Sequence, residues 1–330
     1  MKILITGCFG FIGYNFLKFL TQNDTDDIKI IGIDSLNLNT SKKNYELFSS
    51  KNFEFINLDI NKINQIDIKG IDILVNFAAE SHVDNSISNP ISFIESNVNG
   101  LGNLLFWAIK SKVNKFIHIS TDEVYGSLES GYPNEDTNFN PSSPYSATKA
   151  GAEYLCRSFS KTFDQNIIII RPSNNYGIYQ QPEKLIPYSI ANLINGGKIE
   201  VYGDGSNVRH WLHVTDTCKA ILKIIEKSPK NEIFNVGSGI YLDNLTVAKK
   251  ILSILGFNDS KIKFVEDRLG HDFRYAVNYS KLENLGWSPE MSFDKELEKI
   301  VDWYKNNTEW WLESFNQVLE NRKIRNKLID

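Results

Sequence analysis

A short apolar run, Ile3-Leu4-Ile5, passes directly into Gly7-Cys8-Phe9-Gly10-Phe11-Ile12-Gly13, and a helical pattern follows through Leu20. This G-x-x-G-x-x-G turn between a strand and a helix constrains the fold more than any other feature. Glycines are required where backbone turns tightly and lies against a pyrophosphate, and the following helix offers free N–H groups and its positive dipole end. The strand–turn–helix context lifts the motif above a chance glycine cluster. Asp34 falls about twenty residues past the last glycine, where an acid accepts hydrogen bonds from ribose hydroxyls. A carboxylate there repels a 2′-phosphate, and no Arg or Lys follows at once, so NAD is expected rather than NADP.

Further strand-like runs appear at Ile28 to Ile33, Ile71 to Phe77, Phe116 to Ile119 and Ile167 to Ile170. They are nearly continuous in apolar character, as parallel strands buried on both faces are. Between them Val98, Leu101, Leu105, Ala108 and Ile109 keep helical spacing, as do Ala150, Leu155 and Phe159. Alternating strands and helices predict an α/β fold: a Rossmann-type doubly wound parallel sheet with a smaller C-terminal substrate-binding part. The texture changes after Arg171-Pro172, so residues 1–172 are expected to form the NAD-binding domain and 173–330 mainly the substrate-binding one. Ile233-Phe234-Asn235-Val236 is expected to return to the sheet, with 211–238 rejoining the first domain. The Trp310-Trp311 pair is expected to pack rather than bind.

The 330 residues suffice for roughly two domains. Lys and Arg number 36 against 40 Asp and Glu, a net charge of −4 that disfavours a nucleic-acid binder. Cys8, Cys156 and Cys218 are too scattered for a disulfide framework or a zinc site, so a reducing, cytoplasmic setting is expected. No apolar run approaches the roughly 20 residues of a membrane span. His82, His118, His210, His213 and His271 show no ligand spacing, and no metal is expected. His118, inside a strand, reads as a core histidine.

Two segments carry chemistry. Ser120-Thr121-Asp122-Glu123-Val124-Tyr125-Gly126 follows the fourth clear strand, and Tyr145-Ser146-Ala147-Thr148-Lys149 opens a helix. Tyr145 and Lys149 share one helix face. A nearby ammonium is expected to lower the tyrosine pKa and make Tyr145 a base for a sugar hydroxyl. Crowding Asp122 against Glu123 is expected to keep one of them protonated near neutrality.

Together, T-G-x-x-G-F-I-G, S-T-D-E-V-Y-G, Y-S-A-T-K and S-N-N-Y-G resemble the extended short-chain dehydrogenase/reductases, and within them the nucleotide-sugar 4,6-dehydratases. The adjacent acids distinguish these from epimerases of the same fold. The similarity extends through Pro182-Glu183-Lys184-Leu185-Ile186-Pro187, Tyr202-Gly203-Asp204-Gly205 and Gly270-His271-Asp272. It implies oxidation at C4 of a glucose unit, loss of water across C5 and C6, and reduction at C6, with NAD recycled. In that scheme Tyr145 takes the O4 proton, Glu123 is the C5 base, Asp122 is the acid at O6 and Thr121 bonds near O4.

For the cofactor the resemblance adds Phe11 and Ile12, then Ser35, Leu36 and Asn37 beside Asp34, and Asp59 and Ile60 at the adenine. Phe77, Ala78, Ala79 and Ser96 follow along the crevice, with Asn175 near the nicotinamide. For the nucleotide sugar it implies Ser81 and Asn174 at the hexose and phosphate, Lys184 and Leu185 at the phosphate loop, and Glu200, Val201 and Tyr202 against the base. Arg209 and Arg268 match the pyrophosphate clamps, and Asn244 and His271 complete the set.

Departures are His210 in place of an Asp, Leu269 in place of a Pro and Glu200 in place of a Pro, all expected to fall on the nucleotide side. The segments Y-S-A-T-K-A-G-A-E and G-D-G-S-N-V-R are similar to UDP-glucose enzymes of UDP-rhamnose synthesis, whereas Gly270-His271-Asp272 is closer to dTDP-glucose enzymes. The base stays open, with UDP favoured. Other readings are a nucleotide-sugar 4-epimerase, which needs no acid pair, and a non-catalytic NAD or nucleotide-sugar sensor, which has no use for Thr121, Asp122, Glu123, Tyr145 and Lys149. A homodimer built on the helices starting near Asn97 and Tyr145 is also implied, with Trp107 either at that interface or inside the monomer.

Overall fold

The computed structural model describes residues 1–22, 28–227, 230–268 and 270–329, with backbone alone for residues 39 and 323–329. Leu269 lies outside the described residues.

The chain begins with β1 (Lys2–Thr6), α1 (Phe11–Gln22), β2 (Lys29–Asp34), α2 (Asn39–Leu47), β3 (Phe53–Asn57) and β4 (Ile73–Asn76). Next come α3 (Val83–Ser88), α4 (Pro90–Ile94), a π-turn and α5 (Leu101–Lys110), then β5 (Lys115–Ile119), α6 (Pro144–Phe163) and β6 (Ile167–Pro172). The remainder is β7 (Asn174–Tyr176), α7 (Leu185–Ile194), β8 (Ile199–Tyr202), β9 (Val208–His213), α8 (Val214–Lys227) and β10 (Ile233–Val236). It ends with β11 (Tyr241–Asp243), α9 (Asn244–Leu255), β12 (Ile262–Val265), α10 (Ser280–Glu283), α11 (Phe293–Asn306) and α12 (Thr308–Ile329).

Seven parallel strands form the central sheet in the order β10-β6-β5-β4-β1-β2-β3. This is the doubly wound architecture the apolar runs predict. Ile3, Leu4 and Ile5 are fully buried, as are Leu74, Val75, Ile117 and Ile168, so both faces of the sheet are covered. The run at Ile233 to Val236 does return, pairing with Ile169 to Pro172. β3 is not anticipated by the sequence pattern. It pairs only with β2 at the sheet edge, where Glu54 and Asn57 face solvent and interrupt the apolar run.

The chain runs from β1 to β2 on one side, then crosses to β4 on the other. The crevice where strand order reverses opens between the carboxyl ends of β1 and β4. The smaller strands lie beyond it: β11-β9-β7 in one sheet and β12-β8 in another. Trp310 and Trp311 pack as expected. The Trp310 indole donates to Asn44 Oδ1 at 2.8 Å, tying α12 to α2, and the Trp311 indole donates to the Tyr304 carbonyl at 2.8 Å. Trp107 is buried within its own chain and donates to the Ile66 carbonyl at 2.9 Å.

Candidate active site

The glycine turn is closed by contacts that only glycine permits. Gly7 has φ +65°, and a Cβ there would lie 2.7 Å from the Ala78 backbone nitrogen. A Cβ on Gly13 would lie 2.2 Å from the Gly7 carbonyl oxygen. The turn therefore nests against Phe77-Ala78 at the end of β4, and α1 starts at Phe11 with its N-terminus in the same crevice. Asp34 ends β2, and its carboxylate accepts from Phe9 N at 2.9 Å and Leu36 N at 2.8 Å. The Gly10 N–H also bonds it, so backbone N–H groups of the turn and of Leu36 hold the carboxylate in place. Burial raises the Asp34 pKa, and the backbone N–H groups oppose the rise.

Ser35, Leu36 and Asn37 continue past β2, Leu36 with φ +52°. Asp59 caps the short helix 60–65 through Asn61 N at 2.8 Å, and Ile60 packs beneath Gly100. Phe77 and Ala78 are partly buried and Ala79 is exposed. Ser96 sits in the π-turn beside Asn97, whose amide bonds both N–H and carbonyl of Glu80. Asn175 is locked by Thr217 Oγ1 at 2.6 Å and by its own bond to the Ser173 carbonyl at 2.9 Å.

Phe11 and Ile12 also line a larger cleft that continues away from the glycine turn. Thr121, Asp122, Glu123 and Tyr145 face into it together. They come from different elements: β5 ends in a short helical turn at Asp122–Tyr125, and Tyr145 occupies the first turn of α6, capped by Ser143. Asp122 is 2% exposed, and its Oδ2 is buried without a hydrogen-bond partner. Burial, and then the neighbouring Glu123 carboxylate, push the Asp122 pKa well above the ordinary carboxylate range. Burial raises Glu123 as well, but Lys184, Arg268 and Arg209 pull it back. Arg209 pulls on both acids, but Lys184 and Arg268 pull on Glu123 alone, favouring a protonated Asp122 beside a more acidic Glu123.

Lys149 lies one turn from Tyr145, yet its ammonium donates to the Ile119 carbonyl at 2.7 Å. The tyrosine pKa is therefore not lowered as its spacing from Lys149 predicts. Burial raises the Tyr145 phenol, Glu123 adds to the rise, and a hydrogen bond with Thr121 opposes it. Burial brings Lys149 down to about 8.

Beyond the acids the cleft is cationic. Lys184 Nζ donates to the Ser81 carbonyl at 2.6 Å, bringing together two residues far apart in sequence. Arg209 is buried, stacks 4.5 Å from the Tyr275 ring centre and donates to the backbone carbonyls of Val208 and Asp272. Arg268 donates to Asp84 Oδ1 at 3.4 Å, and its Nε is buried without a partner. Asn174 Oδ1 is also buried and unpartnered. His271 contacts Asp267, and burial followed by the Arg268 charge lowers its pKa to about 4. Leu185, Glu200, Val201, Tyr202 and Asn244 line the same cleft.

His210 does not lie on the nucleotide side. Residues alternate along β9, so Arg209 and Trp211 face the cleft while His210 points away. Its Nε2 accepts from Ser238 N at 2.8 Å and Gly239 N at 2.9 Å, a task a carboxylate could also perform. Sequence reasoning also missed Tyr275, whose hydroxyl donates to Asp272 Oδ2 at 2.5 Å and approaches Glu123 Oε2 at 3.4 Å. It missed Asp84, Tyr188 and Arg322 in the cleft wall as well. No motif marks these four, and only the packing gathers them. His118 is a core residue against Asn76, as read.

The described residues include no cluster of three or more His, Cys, Asp or Glu suited to a metal, and no helix long and apolar enough to cross a membrane. A family model described as GDP-mannose 4,6 dehydratase matches residues 4–300. The chain is 44% identical over 312 residues to a Haloferax volcanii low-salt glycan biosynthesis protein, covering 94% of this chain and all of that one. It is 38% identical to a Streptomyces niveus dTDP-glucose 4,6-dehydratase, covering 94% and 95%. A dTDP-glucose 4,6-dehydratase from Streptomyces venezuelae, solved with NAD bound, superimposes with a TM-score of 0.91 at 38% identity, covering 95% of this chain and 100% of that chain.

Proposed function

Because this chain belongs to the NAD-dependent nucleotide-sugar 4,6-dehydratases, hydro-lyases of the extended short-chain dehydrogenase/reductase family, we propose that it removes water from the glucose unit of UDP-glucose or dTDP-glucose. The product is the NDP-4-keto-6-deoxyglucose, a precursor for rhamnose-type deoxysugars. The observation that carries this reading is the acid pair: Asp122 with an unpartnered buried oxygen, next to Glu123, in one cleft with Tyr145.

The glycine turn, Asp34 and the Phe77–Ala79 segment would hold NAD, which when bound would supply the hydride acceptor for C4 and the hydride returned to C6. Tyr145, bonded to Thr121, is placed as the base for the O4 proton, and its phenolate would be favoured by the positive charge of a bound nicotinamide ring. Lys149, one turn along α6, is anchored to the Ile119 carbonyl at the end of β5. Glu123 removes the C5 proton made acidic by the C4 ketone, and protonated Asp122 delivers its proton to the departing O6. Lys184, Arg209 and Arg268 hold the diphosphate. A 4-epimerase would have no use for the Asp122 proton.

The chain works as a homodimer in this reading. Phe106 on α5 and Tyr154 on α6 are exposed apolar residues on the two helices expected to meet a second copy.

Asp122→Asn and Glu123→Gln test the role assignment. Both variants keep NAD and nucleotide affinity and lose water elimination. Dehydration at the parental rate in either one contradicts it.

A further inference from the structure

The cleft ends at a wall that no motif marks. Arg322, on α12, lies beyond residues 4–300 that the family model matches, yet its side chain reaches the cleft that Lys184 and Arg268 line. Its guanidinium carbon sits 3.6 Å from the centre of the Tyr188 ring, and its NH1 donates to Glu200 Oε2 at 2.8 Å. Tyr188 also donates to that oxygen, at 3.3 Å. The Arg322 side chain is 17% exposed and that of Glu200 29%, so both remain open to the cleft.

We propose that Arg322 and Glu200 read the far edge of the nucleobase. The inference rests on the reading of this cleft as a nucleotide-sugar site. With the hexose at Asp122 and Glu123 and the diphosphate at the three cations, the base lies farthest along. In a pyrimidine nucleotide the ribose is on N1, so C4 is directed away from the ribose, toward the wall. Uracil and thymine present the O4 acceptor and the N3–H donor there. The bond to Glu200 uses one of the five guanidinium N–H donors, leaving others for O4, while the Glu200 carboxylate accepts from N3–H. Cytosine reverses both groups, an amine at C4 and an acceptor at N3, and sets donor against donor and acceptor against acceptor. The 5-methyl group is not part of this edge, so the pair favours UDP and dTDP alike.

Calorimetric titration of the full chain with UDP, dTDP and CDP, with NAD as a separate ligand, tests this. The wild type is expected to bind UDP and dTDP at least about tenfold more tightly than CDP. Arg322→Met is expected to weaken UDP and dTDP about tenfold, to leave CDP no weaker and NAD unchanged, and so to abolish the preference. Glu200→Gln, which keeps the shape of the wall, is expected to lose the preference in the same way. Equal weakening of all three nucleotides, or no weakening, would make Arg322 only a strut between α12 and α7 and overturn the proposal. Failure of the wild type to bind any of the three would instead overturn the nucleotide-sugar reading itself.

Discussion

Lys149 Nζ donates to the carbonyl of Ile119 at 2.7 Å, so the lysine one turn from Tyr145 is fastened to the strand that delivers Thr121, Asp122 and Glu123. One side chain sets the helix of the proposed base against the loop of the proposed acids. The ammonium is the working form. Burial brings its pKa to about 8, so the charge is present below that pH and lost above it. We expect kcat/KM to fall on the alkaline side with a midpoint near 8. Lys149→Met is expected to cost on the order of 100-fold or more in kcat, with nucleotide affinity retained. An alkaline limb unchanged in that variant would remove Lys149 from the profile.

Asp122 has the opposite balance. Its folded pKa is raised, so as pH rises through its unfolded value near 3.8 the unfolded chain loses the proton first and stability falls. Asp122→Asn is therefore expected to raise the melting temperature at pH 7.5 by about 2 °C, with the gain shrinking toward pH 4. A variant less stable than the parent at neutral pH would contradict the buried, unpartnered carboxyl described above.

The glycine turn leaves no room for a methyl group. Gly13→Ala places a carbon 2.2 Å from the Gly7 oxygen, against backbone that cannot retreat without opening the turn. NAD affinity is expected to fall at least about 100-fold by titration, with nucleotide binding in the rest of the cleft retained. Unchanged NAD affinity would mean the turn is not the cofactor's cradle.

Much of this was legible in the residues. The sheet followed from continuous Ile-rich runs, and the glycine turn, the acid pair and Tyr145 with Lys149 are local patterns that survive any packing. The edge strand β3 was not legible, because an edge needs less apolar surface and Glu54 breaks the run. His210 departs from its expected side because neighbours alternate sides along β9, which no alternating apolar pattern marks in the sequence. Arg322 and Tyr275 depend on how distant segments fold onto the cleft, which no spacing encodes.

His210 supplies a stability test. Burial, and then the Arg274 charge, lower its pKa to about 3, so between about 6.5 and 3 the unfolded chain binds the proton and the folded one does not. Its contribution is intact above pH 6.5 and declines as pH falls through that window. His210→Ala leaves the N–H groups of Ser238 and Gly239 without their acceptor, a loss of about 2 kcal/mol in chemical denaturation. His210→Asp is expected to recover part of that loss at neutral pH. Equal stability of the Ala and Asp variants would show that the ring's packing, not its acceptor nitrogen, matters.

The buried pair of Glu153 and Arg171 joins α6 to β6, with Arg171 NH2 donating to Glu153 Oε2 at 2.6 Å and both side chains fully covered. Removing one partner strands the other charge, so Arg171→Met is expected to destabilise by about 3 to 5 kcal/mol. The double variant Glu153→Leu with Arg171→Met is expected to recover much of the loss. Additive losses in a double-mutant cycle would contradict a coupled pair.

The most direct measurement is a proton NMR time course in D₂O with the protein, NAD and either UDP-glucose or dTDP-glucose. The expected result is a new C6 methyl signal with deuterium incorporated at C5, as when Glu123 exchanges the C5 proton and the C4 hydride returns to C6. A galactose-type anomeric signal without a methyl, or no turnover while NAD and nucleotide both bind, would contradict it.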